Sequence, residues 1–244
     1  MKKSFLTLLM FSLFAYPAWS QVWKDIKKKA EETVQNTSGN TKGLSSDEVV
    51  SGLKEALDIG AKKATESASK IGGFNKNDLI RIPFPEEARD VKELALKVGM
   101  SKQVEEFEET MNRAAEKASA EAVDVLVNAV SSMTVKDGFE ILNGTDTAAT
   151  HYLRENTTLE LTQKFTPIVN KAIDAVELTR YWQPLASTYN KNPFKKEEIN
   201  PDLTAYVTGK ALDGLFTLIK QEEKSIRENP EARVTDLLKK VFGN

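Results

Sequence analysis

The chain has 244 residues, 34 basic and 36 acidic side chains for a formal charge of −2, no cysteine and one histidine. That balance creates no field favouring nucleic acid or an acidic membrane surface, and the missing cysteines remove disulfides, thiolate metal sites and cysteine nucleophiles together. The length suffices for a good core, as one large domain or two small ones.

The N-terminus reads as an export signal. Lys2 and Lys3 form a short positive region, FLTLLMFSLFAYPA follows as an apolar core, and Ala18-Trp19-Ser20 supplies small residues for a signal peptidase. Cleavage is expected before Gln21, leaving a periplasmic or secreted product of formal charge −4. The apolar run is too short for a bilayer span, which needs about 20 residues, so no transmembrane span is read. Residues 21–43 are basic, then polar, and read as a flexible lead-in. Val22, Trp23, Ile26 and Ala30 make one short amphipathic face there.

Helical signals begin at SSDE, where Ser45 and Glu48 have capping-box spacing. Val49, Leu53, Ala56, Leu57 and Ala64 then recur at helical intervals, and Gly72-Gly73 stop the helix. IRIPFPEEARDV follows. Ile80, Ile82 and Phe84 alternate with Arg81 and Pro83, which predicts an extended crossover with an apolar seam and Arg81 facing away. Pro85 holds Phe84 extended and starts the next helix, with Glu86 and Glu87 at its positive end. Val91, Leu94, Ala95 and Val98 give that helix its apolar face, and Gly99 ends it.

The longest periodic stretch spans 101–133. Val104, Phe107, Met111, Ala115, Ala118, Ala122, Val125 and Ala129 step by three and four without glycine or proline. Small residues on such a stripe admit a close neighbour, so this helix is placed centrally. Thr134 caps a short helix packed through Phe139, Ile141 and Leu142 and closed by Asn143-Gly144. Residues 145–182 read as two or three helices, broken near Asn156 and adjusted at Pro167. Residues 181–201, with three prolines and several aromatics, read as an irregular insertion. Leu203, Val207, Ala211, Leu215, Leu218 and Ile219 mark another helix. Asn229-Pro230 begin a last one bearing Val234, Leu237, Leu238, Val241 and Phe242. No strand pair or repeat emerges. The fold class is all-α: a single multi-helix bundle over 44–244 with one short extended proline-containing segment.

Catalytic chemistry is sparse. His151 alone makes neither a histidine-rich metal site nor a triad and is read as a solvent-facing or satisfied helical residue. GKALDG at 209–214 lacks the strand and spacing of a phosphate loop. Most carboxylates sit in runs such as EEFEE that read as solvated faces. Two spacings stand out: Asn112 with Glu116, and Glu109 with Arg113, each one turn apart beside the apolar stripe. The lysine runs at 27–29 and 195–196 lack interleaved aromatics, so nucleic-acid binding is not read.

GLKEAL (52–57), IRIPFPEEA (80–88), MNRAAEKA (111–118), MTVKDGFEILNGTDTAATHYL (133–153) and KALDGLFTLIKQEEKSIRENPEARVTDLLKKVFG (210–243) resemble a bacterial family, domain of unknown function 4197. That resemblance implies an exported helical protein of Gram-negative bacteria and carries no activity, cofactor or catalytic residue. The 181–201 insertion contributes least to it.

The leading functional reading is a non-enzymatic envelope protein that binds an envelope partner or a small apolar or amphipathic ligand. Arg81, Phe84, Met111, Asn112, Arg113 and Glu116 are the contact candidates, with no metal, cofactor or catalytic residue assigned. One alternative is a carboxylate-only hydrolase of envelope polymers, which requires two or more of Glu116, Asp137, Glu140 and Glu223 to converge. Another is a structural homo-oligomer assembled through helix faces.

Overall fold

A capping box starts the first helix. In the computed structural model the Ser45 hydroxyl accepts from the Glu48 N–H at 3.3 Å, while the Glu48 carboxylate accepts from the Ser45 N–H at 2.8 Å. The structure describes residues 45–97, 99–174 and 202–236, with positions 182, 187, 190, 191, 193, 198, 239 and 241. The chain divides into two compact units, Met1–Leu44 and Ser45–Asn244, and every element below belongs to the second. The expected signal peptide (1–20), the lead-in (21–43), most of the 181–201 insertion, and Val98, Leu237, Leu238 and Phe242 lie outside the described residues.

The elements are α1 (Ser46–Ser69), a 3-10 turn (Glu86–Ala88), α2 (Arg89–Lys97), α3 (Ser101–Ser119), α4 (Ala122–Ser132), α5 (Val135–Leu142), α6 (Ala148–Asp174), α7 (Leu203–Glu228) and a second 3-10 turn (Pro230–Ala232). Among the described residues no strand occurs, so the fold is the all-α bundle that the periodicity predicts. The α3 helix packs against α1, α6 and α7, and α6 packs along α7. Contacts of Ala149 with Glu223, Arg154 with Asp213 and Asn170 with Thr204 make α6 and α7 antiparallel. One core runs through these helices. Phe107, Met111, Ala115, Ala118 and Ala122 supply its alanine-rich seam, and Leu153, Phe165, Leu215 and Phe216 fill the opposite side.

Gly72 and Gly73 end α1 for different reasons. Gly72 has φ +80°, which side-chain-bearing residues rarely adopt, and a Cβ on Gly73 would fall 2.4 Å from the Ala68 carbonyl. Gly99 follows α2 at φ +85°. Between α1 and the first 3-10 turn the chain crosses the bundle, with Ile80, Ile82 and Phe84 buried and Arg81 exposed.

Three expectations are corrected. The 101–133 stretch is two helices, because the Glu121 N–H bonds back to Ala118 in a tight turn that restarts the chain at Ala122. Residues 148–174 form one helix through Asn156 and Pro167. The Asn156 amide donates to the Tyr152 carbonyl one turn back, so it does not compete for the helix. Pro167 and Gln163, whose carbonyl loses its usual donor, both lie on the exposed face, where water serves that group. The third concerns Pro230, which begins only a 3-10 turn; Arg233, Val234 and Thr235 are not helical.

The two glycines of GKALDG make a controlled comparison on α7. A Cβ on Gly214 would fall 2.5 Å from the Phe74 ring and 3.2 Å from Ile80 Cβ, whereas nothing lies within 4 Å of one on Gly209. Gly214→Ala is expected to destabilise the protein by about 1–3 kcal/mol through overpacking. Gly209→Ala is expected to stabilise it by roughly 0.5–1 kcal/mol through helix propensity. Urea unfolding of the pair measures both signs.

The α5 start offers a pH test. The Thr134 N–H and hydroxyl both donate to Asp137, at 2.9 and 2.8 Å, and hold its carboxyl below the usual carboxylate range. Nearby, burial first and the Asp137 charge second push the Tyr152 phenol up. A depressed carboxyl stabilises the fold above its unfolded pKa and loses that contribution as pH falls through the folded value. Thr134→Ala is expected to cost about 0.5–2 kcal/mol at neutral pH and to return Asp137 toward the ordinary range. NMR titration of the Asp137 carboxyl carbon reads the second effect.

Candidate functional site

Glu108, Asn112 and Glu116 recur every four residues on α3, which stacks them on one helix face. All three are buried. Together they hold the crossover. Asn112 is fully buried, and its Oδ1 accepts the Ile82 N–H at 2.8 Å while its Nδ2 donates to the Ile82 carbonyl at 2.8 Å. The same Nδ2 also donates to the Glu108 carbonyl at 2.8 Å, which ties the side chain to its own helix. One turn on, Glu116 Oε1 accepts the N–H groups of Phe74 and Asn75 at 3.1 and 3.2 Å. One turn back, Glu108 takes the Arg81 guanidinium at 2.8 Å and the Lys92 ammonium at 2.6 Å, one on each carboxylate oxygen.

The six contact candidates divide between this clamp and other surroundings. Arg81 reaches Glu108, just outside the 109–116 stretch singled out in the sequence. Phe84 is buried with its ring centroid 5.0 Å from Phe107 and 5.9 Å from Trp182, and Lys92 lies over it at 5.7 Å. Met111 is buried in the core. Asn112 and Glu116 bind main chain. Arg113 is 62% exposed and pairs with Glu109 at 2.6 Å along the outer face of α3. The structure therefore brings Arg81, Phe84, Asn112 and Glu116 to the crossover and sets Arg113 apart from it.

Sequence reasoning passed over Glu108 because EEFEE reads as a solvated run. Its signal was the spacing Glu108–Asn112–Glu116, in register with the apolar stripe. Glu223, named in the sequence only as a possible hydrolytic acid, forms a second buried carboxylate centre. Glu223 of α7 accepts the N–H groups of Ala149 and Thr150 at 3.1 and 2.9 Å, with the Thr150 hydroxyl at 2.7 Å, so it caps the start of α6. Arg227 pairs with Glu223 at 3.0 Å and donates to the Ile141 carbonyl at the end of α5.

The four carboxylates weighed for hydrolysis have separate tasks. Glu116 holds the crossover, Asp137 caps α5, Glu140 pairs with Lys136 at 3.5 Å in solvent, and Glu223 caps α6. Among the described residues no three His, Asp or Glu side chains form a group able to hold a metal ion. His151 is exposed on α6, with Nδ1 3.9 Å from Glu155.

Residues 43–243 match the protein family described as "Protein of unknown function (DUF4197)". The chain belongs to the DUF4197 family. The match begins two residues before the Ser45 cap and spans the crossover, the α3 ladder and the 181–201 stretch. No curated protein and no solved structure matches the chain. The match covers the helical body, and the family's description assigns no function.

Asn112 and Arg113 are neighbours in sequence with opposite surroundings. Asn112→Leu leaves the buried N–H and carbonyl of Ile82 without partners, at about 1–3 kcal/mol each, so a loss of about 2–6 kcal/mol is expected. Arg113→Ala is expected to change stability by less than about 1 kcal/mol, because its ion pair is exposed. Guanidinium unfolding of both variants checks the contrast.

Proposed function

We propose that this DUF4197 protein is an exported, non-catalytic binding or interaction protein of the cell envelope. One observation carries the non-catalytic part: its buried carboxylates are engaged in holding the fold. Glu116 and Glu223 accept main-chain N–H groups, and Glu108 is paired to two cations. A general base or nucleophile acts from a cleft on substrate, whereas these carboxylates bind main-chain N–H groups or cations of the fold. The export part rests on the positively charged, apolar and small-residue pattern of residues 1–20. Among the described residues no helix is long and apolar enough to cross a membrane.

The binding surface in this reading lies on the outside of the body. Of the contact candidates, Arg81 and Arg113 have open side chains, 44% and 62% exposed, and Arg81 sits beside Lys92 on Glu108. Phe84, Met111, Asn112 and Glu116 support that surface from within.

Expression of the full-length gene in a Gram-negative host with osmotic-shock fractionation tests the proposal. The expected product is a periplasmic chain beginning at Gln21 by intact mass, which forms crosslinks to an envelope component in vivo. A chain retained in the cytoplasm with residues 1–20 attached, or a periplasmic chain giving neither crosslinks nor a co-purifying ligand in native mass spectrometry, contradicts it.

A further inference from the structure

Two helical stripes of identical spacing face each other outside the crossover clamp. On α6 they are Thr147, Thr150, His151 and Arg154; on α7, Asp213, Phe216, Thr217 and Lys220. Each set occupies positions i, i+3, i+4 and i+7, which is one helix face, and Thr147 stands just before the first helical residue. Between them lies an open groove of about 320 Å³, lined by all of these residues except Asp213. That volume falls at the lower end of small-molecule sites.

The groove's chemistry is one-sided. Its lining contains two permanent cations, Arg154 and Lys220, three threonines, the histidine and the aromatic Phe216, and no carboxylate. Arg154 is held in place. Its guanidinium lies 4.6 Å from the centre of the Phe216 ring and gives Nη1 to Asp213 at 2.9 Å. Stacking and pairing fix the plane of the fork while the side chain stays 43% exposed. Lys220 is exposed and makes no ion pair among the described residues. The nearby acids pair with the groove's own residues: Asp213 with one nitrogen of Arg154, Glu155 beside His151, and Glu223 with the Thr150 hydroxyl. The N–H groups of Ala149 and Thr150 are satisfied by Glu223, so the groove does not depend on a bare helix terminus.

We infer that this groove binds the oxyanion of a small solute, a phosphate or a carboxylate. The Arg154 fork, stacked on the buried Phe216 ring, and the Lys220 ammonium bind it. A planar fork and a point charge lining one groove from two helices can give such an anion charge-assisted hydrogen bonds. This inference builds on the reading of the chain as a non-catalytic binder and supplies the class of its ligand.

The chain's single histidine lines the groove, so its imidazole resonance reports on this site alone. The full chain is titrated with inorganic phosphate and, separately, with succinate, at fixed pH and ionic strength, with chloride as the reference. A saturable movement of the His151 resonance is expected for at least one of the two anions. Lys220→Gln, an exposed change that leaves the fold intact, is expected to weaken it about tenfold or more. Arg154→Lys, which keeps the charge and loses the fork, is expected to weaken it as well. A response no different from chloride, or one unchanged in both variants, overturns the assignment. A response to phosphatidylglycerol vesicles with none to either free anion also overturns it, in favour of a lipid surface. Failure here leaves envelope crosslinks standing, whereas cytoplasmic retention defeats the export reading without moving the histidine titration.

Discussion

The bundle depends on one amide. The crossover from α1 to α2 carries extended, proline-flanked backbone across a helical core, and its buried peptide groups have no helix or sheet to pair with. Asn112 answers this with a primary amide, which offers the same donor and acceptor as a peptide and meets both polar groups of Ile82. With Ile82 held there, its side chain points into the core between Ile80 and Phe84, and Phe84 reaches Phe107 and Trp182. Glu116 and Glu108 extend the grip one turn either way. The α3 helix thereby presents apolar packing and a hydrogen-bonding edge on adjoining strips of the same face.

A similar arrangement closes the other side of the molecule. Glu223 and Arg227 pin the α5–α6 junction from α7, satisfying the first N–H groups of one helix and the last carbonyl of its predecessor. A buried charge gains stability only when its remaining hydrogen-bonding capacity is filled. Glu223 meets that condition on both oxygens, through Ala149, Thr150 and Arg227, while Glu116 takes the Phe74 and Asn75 N–H groups on one oxygen. In a chain without cysteine these contacts bridge 42 and 74 residues of sequence.

Much of this was legible locally. Ser45 with Glu48, Thr134 with Asp137, the glycines at 72, 73 and 99, and the alternation of Ile80, Ile82 and Phe84 all express rules that act over a few residues. The break at Ala120–Glu121 was not legible, because both residues suit a helix and the stop is a tightened turn with no glycine or proline. Asn156 and Pro167 misled in the other direction. Each carries a helix-breaking tendency, overridden because the flanking apolar positions Leu153, Leu161, Phe165 and Val169 pack on one continuous face. Spacing marked Asn112 and Glu116 as special, yet their partners lie 30 and 42 residues away. No one-turn pattern can name a partner at that range. Glu108 was hidden by composition: among neighbouring acids, one buried carboxylate looks like the rest.

The contrast between the two kinds of polar cluster separates architecture from function in this molecule. Around Asn112, Glu116 and Glu223 the groups are buried and bond to main chain, and the cavity beside Glu223 is only about 10 Å³. Between α6 and α7 the polar residues are equally well placed and their burial is incomplete. Arg154 is oriented by Phe216 and Asp213 as firmly as a structural residue would be, yet its exposed fork and the Lys220 ammonium face open volume. Orienting a guanidinium costs side-chain entropy, and an exposed ion pair with Asp213 returns little of it. Stability alone is therefore a weak reason for that geometry, whereas a preorganised cation lowers the cost of binding an anion.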